Sequence, residues 1–189
     1  MADKRHPVVA VHEAGHAVVA RKFGLGITSV TALIGAPAVP AQSAFWLVTK
    51  EHTAGGNSVD VPTMVAALEK DAIVALAGLA AQRRAYPKLT PTFDVIDDDE
   101  DDMLNTRSAI YKIICLTAGK QFPEGNAEVE MDAEDFRAVF VRLENETAAR
   151  VAEHWPAIRL VTKHLESHDS ADQAEVDRLI SVAERVAAR

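Results

Sequence analysis

The segment HEAGH, His12 to His16, lies inside an apolar run from Val8 to Ala20 and constrains this chain more than any other stretch. On a helix, residues four apart stand one turn above each other, so the two imidazoles share a face. The flanks call for a helix: Pro7 suits a first turn, where its missing N–H costs little, and Gly24 suits a C-terminal stop. Val8, Val11, Ala14, Val18 and Val19 supply a buried stripe, with His12 and His16 along its edge. Gly15 costs about 1 kcal/mol relative to Ala at a helix centre. Together with Ala14 and Ala17 it lets another segment approach the histidine face closely. Two histidines so spaced converge on one metal ion, and Glu13 reaches a water on it. This is the H-E-x-x-H pattern, in which zinc acidifies and polarises water and the glutamate takes its proton. The competing reading is a pair of core histidines satisfied by hydrogen bonds.

A chain of 189 residues with 48% hydrophobic content can bury one good core. We therefore expect a single domain over 1–189, with a metal-site lobe at 1–118 and a C-terminal helical part at 119–189. The aromatic share of 5% and the abundant alanine favour closely packed helices. The formal net charge is -8 and no basic patch with interleaved aromatics occurs, which argues against a nucleic-acid partner. A single cysteine, Cys115, excludes an internal disulfide and fits a reducing cytoplasm. It lies in the run Ile113-Ile114-Cys115-Leu116 and reads as core rather than nucleophile. Met1 to Pro7 leads straight into the first helix without room for a signal peptide, and the longest apolar run, Ile73 to Ala81, is far short of a membrane span. The expectation is a cytoplasmic chain with no membrane partner. No GxxxxGK[ST] segment occurs, so the chain carries no P-loop ATPase.

Along the chain, Ile27 to Ile34 and Ala44 to Glu51 read as two strands joined by a loop holding Gly35, Pro37 and Pro40. Val61 to Ala85 reads as a long helix with Asp60 as cap and Pro62 in its first turn. Pro87 and Pro91 break it. An acidic run, Asp94 and then Asp97 to Asp102, leads into a helix over about Asp101 to Ala118. Gly119 to Met131 is polar and irregular. A helix from near Asp132 bends near Pro156 and continues to about Ser167. Ser170 and Gln173 have capping-box spacing before a last amphipathic helix with Val176, Leu179, Ile180, Ala183 and Val186. The fold class is mainly α with a small β-sheet (α+β): a zincin-like H-E-x-x-H helix, two strands and a helical C-terminal bundle.

HEAGH on an early helix, two strands, a long helix with ALAGLAAQ and an acid-led helix together resemble the FtsH-type zinc peptidase domain. The C-terminal part, through HWPAIRLVTKHLE, is similar in pattern to that domain's end, so the resemblance covers nearly the whole chain. In that family the peptidase follows a membrane segment and an AAA+ ATPase module; this chain looks like a free-standing peptidase domain. The resemblance implies one zinc ion per chain and a third ligand, an aspartate opening a helix. The best register places it at Asp102, with Met103 at the family's leucine position and Ala109, Ile110, Ile113 and Ile114 buried. The Asp101 register would turn Asp102 and Lys112 inward; Asp101, Asp99 and Asp98 remain alternatives. The other carboxylates of this run read as a solvated helix N-terminus favoured by the helix dipole. Two departures stand out. Where the family has GRAAEE, this chain has GLAAQR, Gly78 to Arg83, so Gln82 can accept a hydrogen bond from a histidine ligand but brings no charge. Asp101 replaces the asparagine before the ligand.

On this reading His12, His16 and Asp102 hold zinc, and Glu13 is the general base of an ATP-independent metalloendopeptidase acting on unfolded or extended polypeptides. Ala44 to Glu51 would be an exposed edge strand holding the substrate by β-augmentation, with Phe45, Trp46 and Leu47 as pocket candidates. His6, His52, His154, His164 and His168 have no ligand-like spacing and suit surface or capping roles. A separate AAA+ unfoldase and a homo-oligomer are the protein partners the resemblance brings with it. Two alternatives are a zinc-binding regulatory or protein-binding module with little or no turnover, and a dedicated regulator-cleaving peptidase.

Overall fold

A computed structural model describes residues 7–32, 42–54, 59–88, 101–120 and 132–189, apart from the side chains of 51–54 and of residue 101. The described residues form seven helices: α1 (Pro7–Lys22), α2 (Ala44–Ala54), α3 (Val61–Ala85), α4 (Asp101–Thr117), α5 (Ala133–Glu153), α6 (Trp155–Leu165) and α7 (Gln173–Ala187). Two short strands, β1 (Ser29–Val30) and β2 (Ala171–Asp172), pair antiparallel with Ser29 opposite Asp172 and Val30 opposite Ala171. The fold is thus mainly helical with a very small sheet.

α1 and α3 are innermost. α3 packs against α1, α2, α4 and α5, and α1 packs against α3, α6 and α7. Small residues allow this. A Cβ on Gly15 would stand 2.5 Å from the Ala77 carbonyl oxygen and 2.8 Å from the Ala81 Cβ. The α1 and α3 backbones therefore meet where the sequence puts the glycine, with Ala10, Ala14, Ala72, Ala77 and Ala81 buried around the contact. α1 ends as its sequence suggests. Gly24 takes φ +77, and the Leu25 and Gly24 N–H groups donate to the Ala20 and Arg21 carbonyls, the left-handed stop that glycine permits without strain. The Arg21 guanidinium grips both Asp177 oxygens at 2.8 and 2.9 Å, which ties this end to α7.

α3 starts where its cap predicts: the Asp60 carboxylate accepts from the Thr63 N–H at 2.8 Å. The expected bend near Pro156 is a break at His154, the residue between α5 and α6, and Pro156 sits in the first turn of α6. Three expectations are corrected. Ala44 to Glu51 is helix, not strand, so the zincin-like helix is not followed by two paired strands and no edge strand lies here. Its aromatic and β-branched residues favour a strand locally, but Asp71 on α3 decides otherwise. The Asp71 carboxylate accepts from the Ser43 hydroxyl at 2.7 Å and from the Ala44 and Phe45 N–H groups at 2.6 and 3.2 Å, capping the helix from outside. Within Ile27 to Ile34 only Ser29 and Val30 are strand, and residues 33–41 lie outside the described ones. Finally, Asp172 rather than Ser170 caps α7, accepting from the Glu175 N–H at 2.8 Å, while the Gln173 side chain accepts from the Ile27 N–H. The loop with Gly35, Pro37 and Pro40, most of the acidic run and residues 121–131 also fall outside the described residues.

Candidate metal centre

α1 and α3 cross at Gly15, and α4 lies along α3 with its first turn beside the histidine face. This brings His12, His16 and Asp102 together. The Nε2 atoms of His12 and His16 are 3.0 Å apart, and the Asp102 Oδ2 lies 3.0 Å from the first and 2.9 Å from the second. The rings stand edge to face at 75°. The three side chains are 19%, 16% and 33% exposed, so the centre is largely buried but still open to a ligand. The Asp102 carboxylate sits in the first turn of α4, where the helix dipole favours it. The fully buried Thr106 anchors that turn by donating to the Asp102 carbonyl at 2.8 Å.

The outer ring nitrogens fix which atoms face the centre. The His16 Nδ1–H donates to the Val74 carbonyl at 2.7 Å, and the His12 Nδ1–H donates to the Gln82 Oε1 at 3.3 Å. With both Nδ1 atoms protonated, both Nε2 atoms present lone pairs. Two lone pairs and a carboxylate oxygen within about 3 Å repel one another unless a cation stands between them. In the metal-free protein a proton held among these atoms relieves the repulsion, and the surroundings of His16 favour it there. Burial pushes this imidazole down, but the Asp102 carboxylate, the Glu13 charge and the Val74 carbonyl overcome it and raise it to about 9. Burial pushes Asp102 up, and hydrogen bonds and charge from His12 and His16 hold it well below the usual carboxylate range.

The donor set also fits a metal. Tetrahedral ligands at zinc distances stand about 3.3 Å apart, a few tenths of an ångström beyond the triangle described here. His12, His16 and Asp102 are the group of ligand atoms, among the described residues, that could hold a metal ion. Three protein ligands leave a fourth position open, the arrangement of catalytic rather than structural sites.

Gly78 makes the triangle possible and was not singled out by its sequence. A Cβ there would lie 2.3 Å from the His16 Nε2 and 2.7 Å from the His12 Nε2, so the rings rest on bare backbone. The Val74 carbonyl was invisible for a simpler reason: a backbone acceptor has no sequence signature. A cleft of about 570 Å³ opens beside the centre. Glu13, His16 and Asp102 line its metal end; Phe45, Leu68 and Lys112 line it elsewhere. Of the three pocket candidates, Phe45 is the one on this wall, and Trp46 is 51% exposed.

The alternative ligands Asp98 and Asp99, and the side chains of Asp101, His6 and His52, lie outside the described residues. His164 and His168 stack on each other with centroids 4.1 Å apart, and His164 Nδ1 lies 3.3 Å from Glu175. His154 joins two helices. No described helix is long and apolar enough to cross a membrane. No protein-family model matches the chain, and no curated protein matches it in sequence.

Proposed function

We propose that the chain is a zinc-dependent metalloendopeptidase, FtsH-like in its site, that hydrolyses unfolded or extended polypeptides. The observation that carries this is the meeting of His12 and His16 with Asp102, 86 residues beyond His16, at 2.9–3.0 Å beside a cleft that also receives Glu13. Zinc held there supplies Lewis acidity toward a peptide carbonyl and an acidified water. Glu13, adjacent to the first ligand and facing the cleft, takes a proton from the attacking water and delivers it to the leaving amine. Val74 and Gln82 hold the two imidazoles in the tautomer that binding requires. A cleft of about 570 Å³ is far smaller than a folded domain, so it takes a segment of loose chain. Folded substrates would need a separate AAA+ unfoldase.

A zinc-binding module with little turnover is the second reading, favoured by the neutral and long Gln82 contact at 3.3 Å. Glu13→Gln separates the two. Zinc-loaded wild type should cleave a permanently unfolded, fluorescently labelled protein without ATP. The variant should lose about 10²–10⁴-fold of the rate while zinc per chain, read by elemental analysis, stays the same. Zinc-loaded wild type inert toward every unfolded substrate would sink the endopeptidase reading in favour of the module.

A further inference from the structure

We propose that Lys112 makes this cleft select chains that carry a carboxylate three to four residues from the metal-proximal peptide bond. The inference rests on the peptidase reading only in taking the ligand to be a peptide.

Lys112 is the one lysine or arginine among the described residues that line the cleft, and it is half-buried. The sequence holds 28 acidic against 20 basic residues, so carboxylates to pair with are plentiful. Even so, Lys112 makes no ion pair among the described residues; its one contact is with the Phe45 ring, 5.6 Å from Nζ to centroid. The cleft's own acids are otherwise occupied. Asp102 faces the two histidines. Asp71 accepts three hydrogen bonds at the start of α2. Glu13 belongs to the metal end. A half-desolvated cation with no counter-charge among the described residues, on a wall made partly of Phe45 and Leu68, is a receptor for an anionic group on an otherwise ordinary peptide.

Position gives the spacing. Asp102 and Lys112 are ten residues apart on α4, about 15 Å along a helix axis. Helical side chains lean toward the N-terminus, so the ammonium reaches back toward the metal and shortens the gap to roughly 10–13 Å. An extended peptide covers that in three to four residues. The carboxylate can be an Asp or Glu side chain or the chain's own C-terminus.

The test is binding, read by fluorescence anisotropy at low salt, of labelled peptides about ten residues long to zinc-loaded Glu13→Gln protein, which holds substrate without turning it over. One peptide series moves a single Glu along a neutral sequence, a second carries Gln at the same places, and each is made with a free or an amidated C-terminus. The expected result is a roughly tenfold tighter Kd for Glu over Gln at one position, lost in Lys112→Met and inverted toward a lysine-bearing peptide in Lys112→Glu. A free-acid advantage that vanishes on amidation would assign the carboxylate to the chain end. Equal Kd for Glu and Gln peptides, a preference that survives Lys112→Met, or no binding of any peptide would overturn the proposal. The peptidase reading fails separately: if wild type cleaves none of these peptides while the Lys112-dependent preference holds, the site binds acidic peptides without hydrolysing them.

Discussion

Gln82 and Gly78 show how much of the site depends on single atoms outside the ligand set. Gln82 offers His12 a neutral oxygen at 3.3 Å where a carboxylate would polarise the ring more strongly. Gln82→Glu should therefore tighten zinc binding by about tenfold, within the 10–100-fold range of such outer contacts, as measured by competition against a chromophoric chelator. An unchanged affinity would mean that the long contact carries little. Gly78→Ala should act in the opposite sense. Its methyl group would occupy the place of both Nε2 atoms, so the rings must turn away. Zinc affinity should fall by at least about 100-fold, while far-ultraviolet circular dichroism stays helical because alanine favours a helix interior. The pairing of His12 and His16 was legible because their spacing is itself geometry. Asp102 was legible only through a resemblance and a choice of helical register among several acids. Gly78 and the Val74 carbonyl left no signal that chemistry alone could pick out.

Helix α2 marks the limit of local reading. Phe45, Trp46, Val48 and Thr49 are residues of β-rich composition, yet they form a helix because a carboxylate 26 positions away from Phe45 caps its first turn. Asp71→Ala removes a charged acceptor from three donors at once. It should cost about 2–3 kcal/mol, read as a lowered urea midpoint. Amide exchange should speed up within α2 before it does in α1 or α3. Uniform exchange across all three helices would show that α2 is held by packing alone. By contrast, α3 could be read to its first residue, since Asp60, Pro62 and the alanine-rich run carry the start and the register within one segment. Where a helix brings its own cap the sequence is enough; where a neighbour supplies the cap it is not.

For the protein as a whole, the metal centre also couples folding to pH. The His16 pKa is raised to about 9 from 6.5 in the metal-free state, so its contribution is complete below the unfolded value and is lost as pH rises through about 9. Chelator-treated protein should lose roughly 5–10 °C of Tm between pH 6 and pH 9.5. Zinc-loaded protein should not, because zinc replaces the proton at that nitrogen, and its affinity should rise over the same interval. Parallel pH profiles with and without zinc would place the ion elsewhere. The order in which the helices are joined has a further consequence, for biosynthesis. α1 is covered by α6 and α7, which follow it far downstream in the sequence, and β1 waits for β2. The ribosome must add on the order of 150 residues after α1 before that cover exists, roughly eight to thirty seconds at about 5–20 residues per second. During that time α3 is already available to pack on the histidine side of the alanine- and valine-rich α1, but the face that α6 and α7 cover stays open. The chain thus offers chaperones their longest opportunity at that face of α1.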